Sequence, residues 1–276
     1  VGTAGDDVFS AVNDEADKSV LGAFDSIDGG AGNDTLNITD TATAAAAGEF
    51  SFPADFSMKS VENVTIATTG AINIDLSDNA DVVSIKGDAR GQAGSTVTAS
   101  GNTDVALTVA GDAMATVSGG KAVSVTASTG DTSVTGDSLT SVTIKGGANA
   151  TISNDKDADD DGKGTTLTSV VLDGVDGKSD IKGEGLTDVT VKGVTSESRT
   201  VTITNAKEDH SLTVHVDGTG YEADGMEAQT TIVDAKATSM TVEASGEKSS
   251  LSLSGSSALE NLTITGDAAL KLKAED

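Results

Sequence analysis

The chain has no cysteine, a single proline (Pro53), no tryptophan and one tyrosine (Tyr221), and only 2% of its residues are aromatic. The lack of thiols excludes disulfides, thiolate metal sites and cysteine catalysis. With so few aromatic rings, any core must be filled by Val, Ile, Leu and Ala, and such a core is thin. No apolar run approaches the length of a membrane span, and residues 1–30 are acidic and glycine-bearing, unlike a cleaved signal peptide. Positive charge is scarce too: 17 Lys+Arg against 44 Asp+Glu give a net charge of −27 and a pI near 4.1. Nucleic acid, anionic membrane and anionic polysaccharide substrates are therefore poor partners. A compact state with that charge repels itself unless cations sit among the carboxylates, so divalent-ion binding would relieve a strain the sequence creates. No G-x-S-x-G, phosphate-binding loop or H-E-x-x-H is present, and no enzymatic activity is expected.

Glycine is what the chain has in quantity, 32 residues of it. The most specific stretch is Gly29-Gly30-Ala31-Gly32-Asn33-Asp34-Thr35-Leu36-Asn37, which fits the G-G-x-G-x-D-x-U-x nonapeptide at every specified position. Glycines let carbonyl oxygens turn toward one point, Asp34 adds a hard anionic oxygen, and Leu36 anchors the loop in a core. Gly2-Thr3-Ala4-Gly5-Asp6-Asp7-Val8-Phe9-Ser10 aligns with it position for position, with Thr3 at the second glycine. The two copies lie a multiple of nine residues apart, so they are expected to stack on adjacent turns and hold Ca2+. The expected ligands are Asp6, Asp7, Asp28, Gly30, Gly32, Asn33 and Asp34; the alternative is a pair of Asp/Gly turns with no ion. After Ile38, the alanine run in 41–48 suits one or two helical turns, and Phe50, Phe52, Pro53 and Phe56 suit a corner packed on the first turns or an exposed binding patch.

From Val61 onward one pattern recurs: apolar, two polar, apolar, polar, apolar. It is seen in Val61-Glu62-Asn63-Val64-Thr65-Ile66, again at Leu139, Leu167, Leu186 and Ala237, and in Leu259-Glu260-Asn261-Leu262-Thr263-Ile264. Further alternating runs at 72–76, 82–85, 105–109, 123–125, 201–203 and 212–216 fill the gaps. A repeat of roughly 20–30 residues cannot bury its own apolar face, so copies must stack on one continuous core. The fold class expected is all-β, a β-solenoid resembling a parallel β-helix. Its parts are an entry segment over 1–60 and a Val/Thr-rich solenoid over 61–276. A β-sandwich would be expected to carry a large aromatic core residue, which this stretch lacks.

An acidic insertion at 154–164 interrupts the solenoid. Asp157, Asp159, Asp161 and Gly162 match the first half of a D-x-D-x-D-G calcium loop, and Asp155 stands just before them. Thr168 occupies the place of the bidentate acid and the flanks read as strands, so this is not an EF-hand; a second Ca2+ site and a solvated acid run are the two readings. The only histidines, His210 and His215, read as packed or surface residues. Asp217, Glu222, Asp224 and Glu227 surround Tyr221 in an expected long loop. Thr-x-Thr pairs at 96/98, 202/204 and 263/265 recur too irregularly for an ice-binding array, and strand propensity accounts for them.

The two glycine loops, the run Asp25-Ser26-Ile27-Asp28 leading into the second, and Val61-Glu62-Asn63-Val64-Thr65-Ile66 resemble, in kind and in order, the start of the solenoid part of bacterial surface-layer proteins of the RTX class. The resemblance covers about the first quarter of the chain. It implies a secreted protein of the bacterial cell surface, exported unfolded by the type I route, which folds on extracellular Ca2+ and assembles with copies of itself into a lattice. It also implies a link to cell-surface polysaccharide through a region outside this chain. The chain departs from the family in having no long nonapeptide array. An adhesin or matrix protein that binds glycans is the alternative, although such platforms usually need exposed aromatics.

Overall fold

The computed structural model describes residues 1–13, 21–22, 24–41, 48–155, 164–193, 198–223 and 226–274. These are all-β, with no helix among them, and they fall into two units, Val1–Asp131 and Thr132–Asp276. In the first unit, strands Val8–Asn13, Thr35–Asp40, Asn63–Thr68, Ser84–Ala89, Asp104–Val109 and Ala122–Ala127 form one sheet in that order. Strands Glu49–Phe50, Ala71–Leu76, Ser95–Ala99 and Ala115–Ser118 form the other. In the second unit, Ser141–Lys145, Ser169–Asp173, Asp188–Lys192, His210–Asp217, Ala237–Ala244 and Asn261–Gly266 make the first sheet. Thr132–Thr135, Ala150–Ser153, Ser179–Lys182, Arg199–Thr204, Thr230–Asp234, Ser249–Ser252 and Leu270–Lys273 make its second.

Pairing is parallel throughout these sheets, and past Asn63 the chain alternates between them, adding a strand to one and then to the other. That alternation is the β-solenoid expected from the repeats. Many strands offer Val, Ile or Leu at alternate positions, and in Asn63–Thr68 and Ser141–Lys145 those positions are the buried ones. Register stacks like on like: Leu36, Val64, Ile85, Val105 and Val123 form one apolar column. β-branched side chains fit such columns, because they pack well on a pleated surface.

The two sheets of the first unit share one core. A Cβ on Gly87 would lie 2.9 Å from Ile72 Cδ1 on the facing sheet and 3.0 Å from Leu107 Cδ1 on the next strand. Gly87→Val is therefore expected to lower unfolding free energy by about 1–3 kcal/mol, the usual result of overfilling a packed interior; urea denaturation of the two proteins side by side measures it.

Coil length varies while the ladders continue, with a register shift between His210 and Ser211 against Ala237–Ala244. Hydrogen-bonded partners on successive coils are 27 residues apart at Asp7 and Asp34 but 18 apart at Asp104 and Ala122. In the second unit they are 28 apart at Thr140 and Thr168 and 19 apart at Thr168 and Thr187. The extra length of the 28-residue coil is the acidic insertion, closed at its base by buried Asn154. Its Oδ1 accepts the Thr166 and Leu167 amides at 3.0 and 2.8 Å, and its Nδ2 donates to the Gly136 carbonyl at 2.9 Å. Tight corners use glycine where it is required: Gly119 has φ 83°, and a side chain there would strike the Ala99 carbonyl oxygen.

Some expectations shift in detail. The run 82–85 is half corner: Val82 is buried in a turn closed by its amide on Asn79, and the strand begins at Ser84. Apolar identity marks the buried corner as strongly as the strand, so pattern alone merges them. Residues 217–230, expected as a loop, hold an antiparallel hairpin, Tyr221–Ala223 with Met226–Ala228. The alanine run at 42–47 lies outside the described residues. Phe50, Phe52 and Phe56 do gather, Phe50 against Phe52 edge-on at 5.6 Å and Phe52 stacked on Phe56 at 5.0 Å; Phe50 is buried and the other two are half-buried. The boundary drawn at 60/61 falls between two directly paired strands, Thr35–Asp40 and Asn63–Thr68.

Candidate metal centre

The two glycine loops lie one upon the other, as their offset implies. The Ala31 amide donates to the Thr3 carbonyl at 3.2 Å, Asn33 N–H to Asp6 Oδ1 at 2.8 Å, and Asp7 N–H to Asp34 Oδ1 at 2.7 Å. Glycine is what allows this approach. A side chain on Gly30 would strike the Thr3 carbonyl oxygen, and one on Gly32, at φ 139°, would come within 2.7 Å of Gly5. Asp7 also closes its own loop, its Oδ2 accepting both the Thr3 amide at 2.5 Å and the Thr3 hydroxyl at 2.9 Å.

Asp34 is the centre of this stack and is fully buried. Its Oδ1 holds the Asp7 amide, but its Oδ2 is buried with no hydrogen-bond partner. A buried carboxylate oxygen without a donor is costly, because it has given up water and received nothing in return. The oxygen points into the space where a Gly29 side chain would begin, and the Ser60 carbonyl oxygen crowds the same space. One loop earlier the arrangement repeats, with Asp7 Oδ2 and the Gly29 carbonyl around Gly2. Carboxylate and carbonyl oxygens on glycine-lined backbone are a hard-cation donor set, and the residues present fit calcium in kind.

The other expected ligands are less gathered. Asp28 turns back on its own loop, Oδ1 accepting the Gly30 amide at 3.2 Å, with Lys59 Nζ 3.9 Å from Oδ2. Among the described residues no three Asp, Glu or His side chains converge as a metal cluster, so carbonyl oxygens would have to complete any ion's shell. Of the second candidate, Asp155 is described, whereas Asp157, Asp159 and Asp161 lie outside the described residues.

Glu62 belongs to the stack, although its place in the repeat marks it only as a polar position. Its Oε2 accepts the Asp34 amide at 2.6 Å, so it does for the second loop what Asp34 does for the first. The signal was the spacing, 27 residues from Asp7 to Asp34 and 28 from Asp34 to Glu62. A second polar ladder closes the other end of these strands, Asn13 Nδ2 to Asp40 at 2.9 Å and Thr68 Oγ1 to Asp40 at 3.0 Å.

Two buried polar groups in the second unit also escaped the pattern. Arg199 donates to the Val175 carbonyl at 2.6 Å, to Thr230 Oγ1 at 3.1 Å and to Thr219 Oγ1. Burial pulls its pKa down to about 10, against Asp176 and Asp173, which pull the other way. Thr219 and Thr230, hydroxyls 2.7 Å apart, mark where the chain leaves for the hairpin and where it returns. His210 is packed: Nε2 lies 2.8 Å from Asp234 Oδ2 and Nδ1 3.0 Å from the Lys207 carbonyl oxygen. His215, half-buried, faces Glu243 at 3.1 Å and Asp188 at 3.6 Å through opposite ring nitrogens, so the three cannot close on one ion.

Compared with known proteins, the chain matches no family model and no curated protein.

Proposed function

We propose that the chain is the lattice-forming part of a secreted bacterial surface-layer protein of the RTX class, a solenoid that calcium locks at its glycine loops and that then assembles with copies of itself. The observation that carries this reading is the buried, donorless Oδ2 of Asp34, set among carbonyl oxygens in a stack of glycine loops. A cation there would supply the partner the fold withholds. It would also offset part of a net charge of −27, which otherwise opposes both compaction and contact between copies. Export by the type I route, extracellular location and anchoring through polysaccharide belong to the same proposal and rest on the resemblance of the loops.

A calcium titration followed by circular dichroism and light scattering tests it. Calcium in the millimolar range is expected to complete β-structure in the first unit and to raise scattering, with magnesium much less effective because it dehydrates reluctantly and demands octahedral geometry. A protein whose spectrum and mass are indifferent to calcium would end the proposal.

A further inference from the structure

The carbonyl oxygen that shares its space with Asp34 Oδ2 comes from outside the glycine loops. It belongs to Ser60 on the next coil, a segment with no glycine between Gly48 and Gly70. Ser60 has a left-handed backbone, φ 49°, a region that is sterically disfavoured for any residue with a Cβ. Such a conformation persists only where its surroundings hold it. At this corner the Gly2 amide donates to the Asp28 carbonyl at 2.6 Å and the Gly29 amide to the Lys59 carbonyl at 3.0 Å, each reaching the backbone of the next coil. The Ser60 amide departs from that series and donates to a side chain instead, Asp81 Oδ2, at 2.9 Å. Asn79 Nδ2, from the same turn as Asp81, donates to the Met58 carbonyl at 3.2 Å. That turn is itself firm: the Val82 amide closes it on the Asn79 carbonyl at 3.1 Å, and Val82 is buried, as is Val61 beside Ser60. Two side chains of one anchored turn therefore grip residues 58–60.

We infer that Asp81 is a positioning residue for the cation site at Asp34: it holds Ser60 in the left-handed conformation that brings the Ser60 carbonyl up to Asp34 Oδ2. The inference rests on the calcium reading of Asp34 above, and adds which coil closes the site and what keeps that coil in place. Asp81 is exposed, and its Oδ2 meets the Ser60 amide rather than the carbonyl, so it acts through the backbone of Ser60 and not as a ligand. The site thereby draws on three successive coils. Asp34 supplies the anionic oxygen, Ser60 a carbonyl wall, and Asp81 the tie that aims it. Neither Ser60 nor Asp81 lies in a glycine loop, so the response to calcium extends past the loops into the plain solenoid.

Calcium titration of the full chain, in about 0.15 M NaCl to screen exposed charges, tests this, with urea denaturation in chelator and at one fixed calcium concentration as a second readout. Asp81→Ala is expected to raise the calcium midpoint by about tenfold, the usual effect of removing a partner that orients a ligand. Asp81→Asn keeps an acceptor oxygen for the Ser60 amide without the charge, and its midpoint should stay within roughly twofold of the parent's. Adding Ser60→Gly to Asp81→Ala should recover part of the loss, because glycine takes a positive φ without steric cost. In urea, the stabilisation that calcium adds over chelator should shrink in Asp81→Ala and not in Asp81→Asn. Equal losses in chelator and in calcium would make Asp81 a structural tie alone and overturn the inference. An Asp81→Asn chain that binds as weakly as Asp81→Ala overturns it too, since charge rather than position would then be responsible. A parent chain indifferent to calcium removes the calcium reading itself. A parent that responds to calcium, beside an Asp81→Ala chain that responds identically, removes this inference and leaves that reading standing.

Discussion

Arg199→Ala is expected to lower the unfolding free energy of the second unit by about 2–5 kcal/mol, the usual cost of cutting a long buried side chain back to alanine. The guanidinium is 3% exposed and ties three coils: the Val175 carbonyl on one, its own strand, and Thr219 and Thr230 at the foot of the hairpin. Truncation leaves that carbonyl without the guanidinium donor and opens a void into which the neighbouring side chains relax only in part. Arg199→Met fills most of the volume without the charge, and it should recover more than half of the loss, because burying a guanidinium is itself expensive; the downward pull on its pKa has the same cause. Guanidinium denaturation compares the three proteins, and hydrogen exchange at 217–230 should rise first in the alanine variant.

Asp34→Asn should act in opposite directions on the two states of the first unit. Without calcium, it removes a buried charge that has one donorless oxygen, and the new amide can donate toward the Ser60 carbonyl, so the variant is expected to be as stable as the parent or more so. With calcium, it removes an anionic ligand, and the calcium midpoint for folding should move at least tenfold higher, about 1.4 kcal/mol or more of lost binding. A structural role alone predicts no such divergence: breaking a turn lowers stability in both conditions and leaves the midpoint in place. Thermal melts at fixed chelator and at several calcium concentrations distinguish the two outcomes.

The sequence carried the fold because its signal was periodic. A strand in a parallel stack is buried on one face and must repeat with period two, and the coils must repeat as a whole, so Val64, Ile85 and Val105 announce their column without any knowledge of the corners. What stayed hidden is the pairing of unlike residues across coils. Glu62 caps Asp34 through a backbone amide, and Arg199 meets Thr219 only because the hairpin brings Thr219 and Thr230 together. Such ties depend on corner lengths, which run from an 18-residue coil to the 31-residue coil between Arg199 and Thr230, and no local pattern encodes them. The glycine loops were legible in position and stacking, since identical spacing produces identical geometry. The donorless Oδ2 of Asp34 was not, because it follows from which amides happen to point elsewhere.

The parallel, in-register ladders also give the molecule a grain. A pull along the strands loads a whole ladder in shear, as between Val8–Asn13 and Thr35–Asp40, and every bond in it must fail together. A pull along the stacking direction peels the same ladder open at one edge, a bond at a time. Such a material is tough one way and splits the other, as timber does, and an ion fastening Asp34 between two turns would act as a nail driven across that grain.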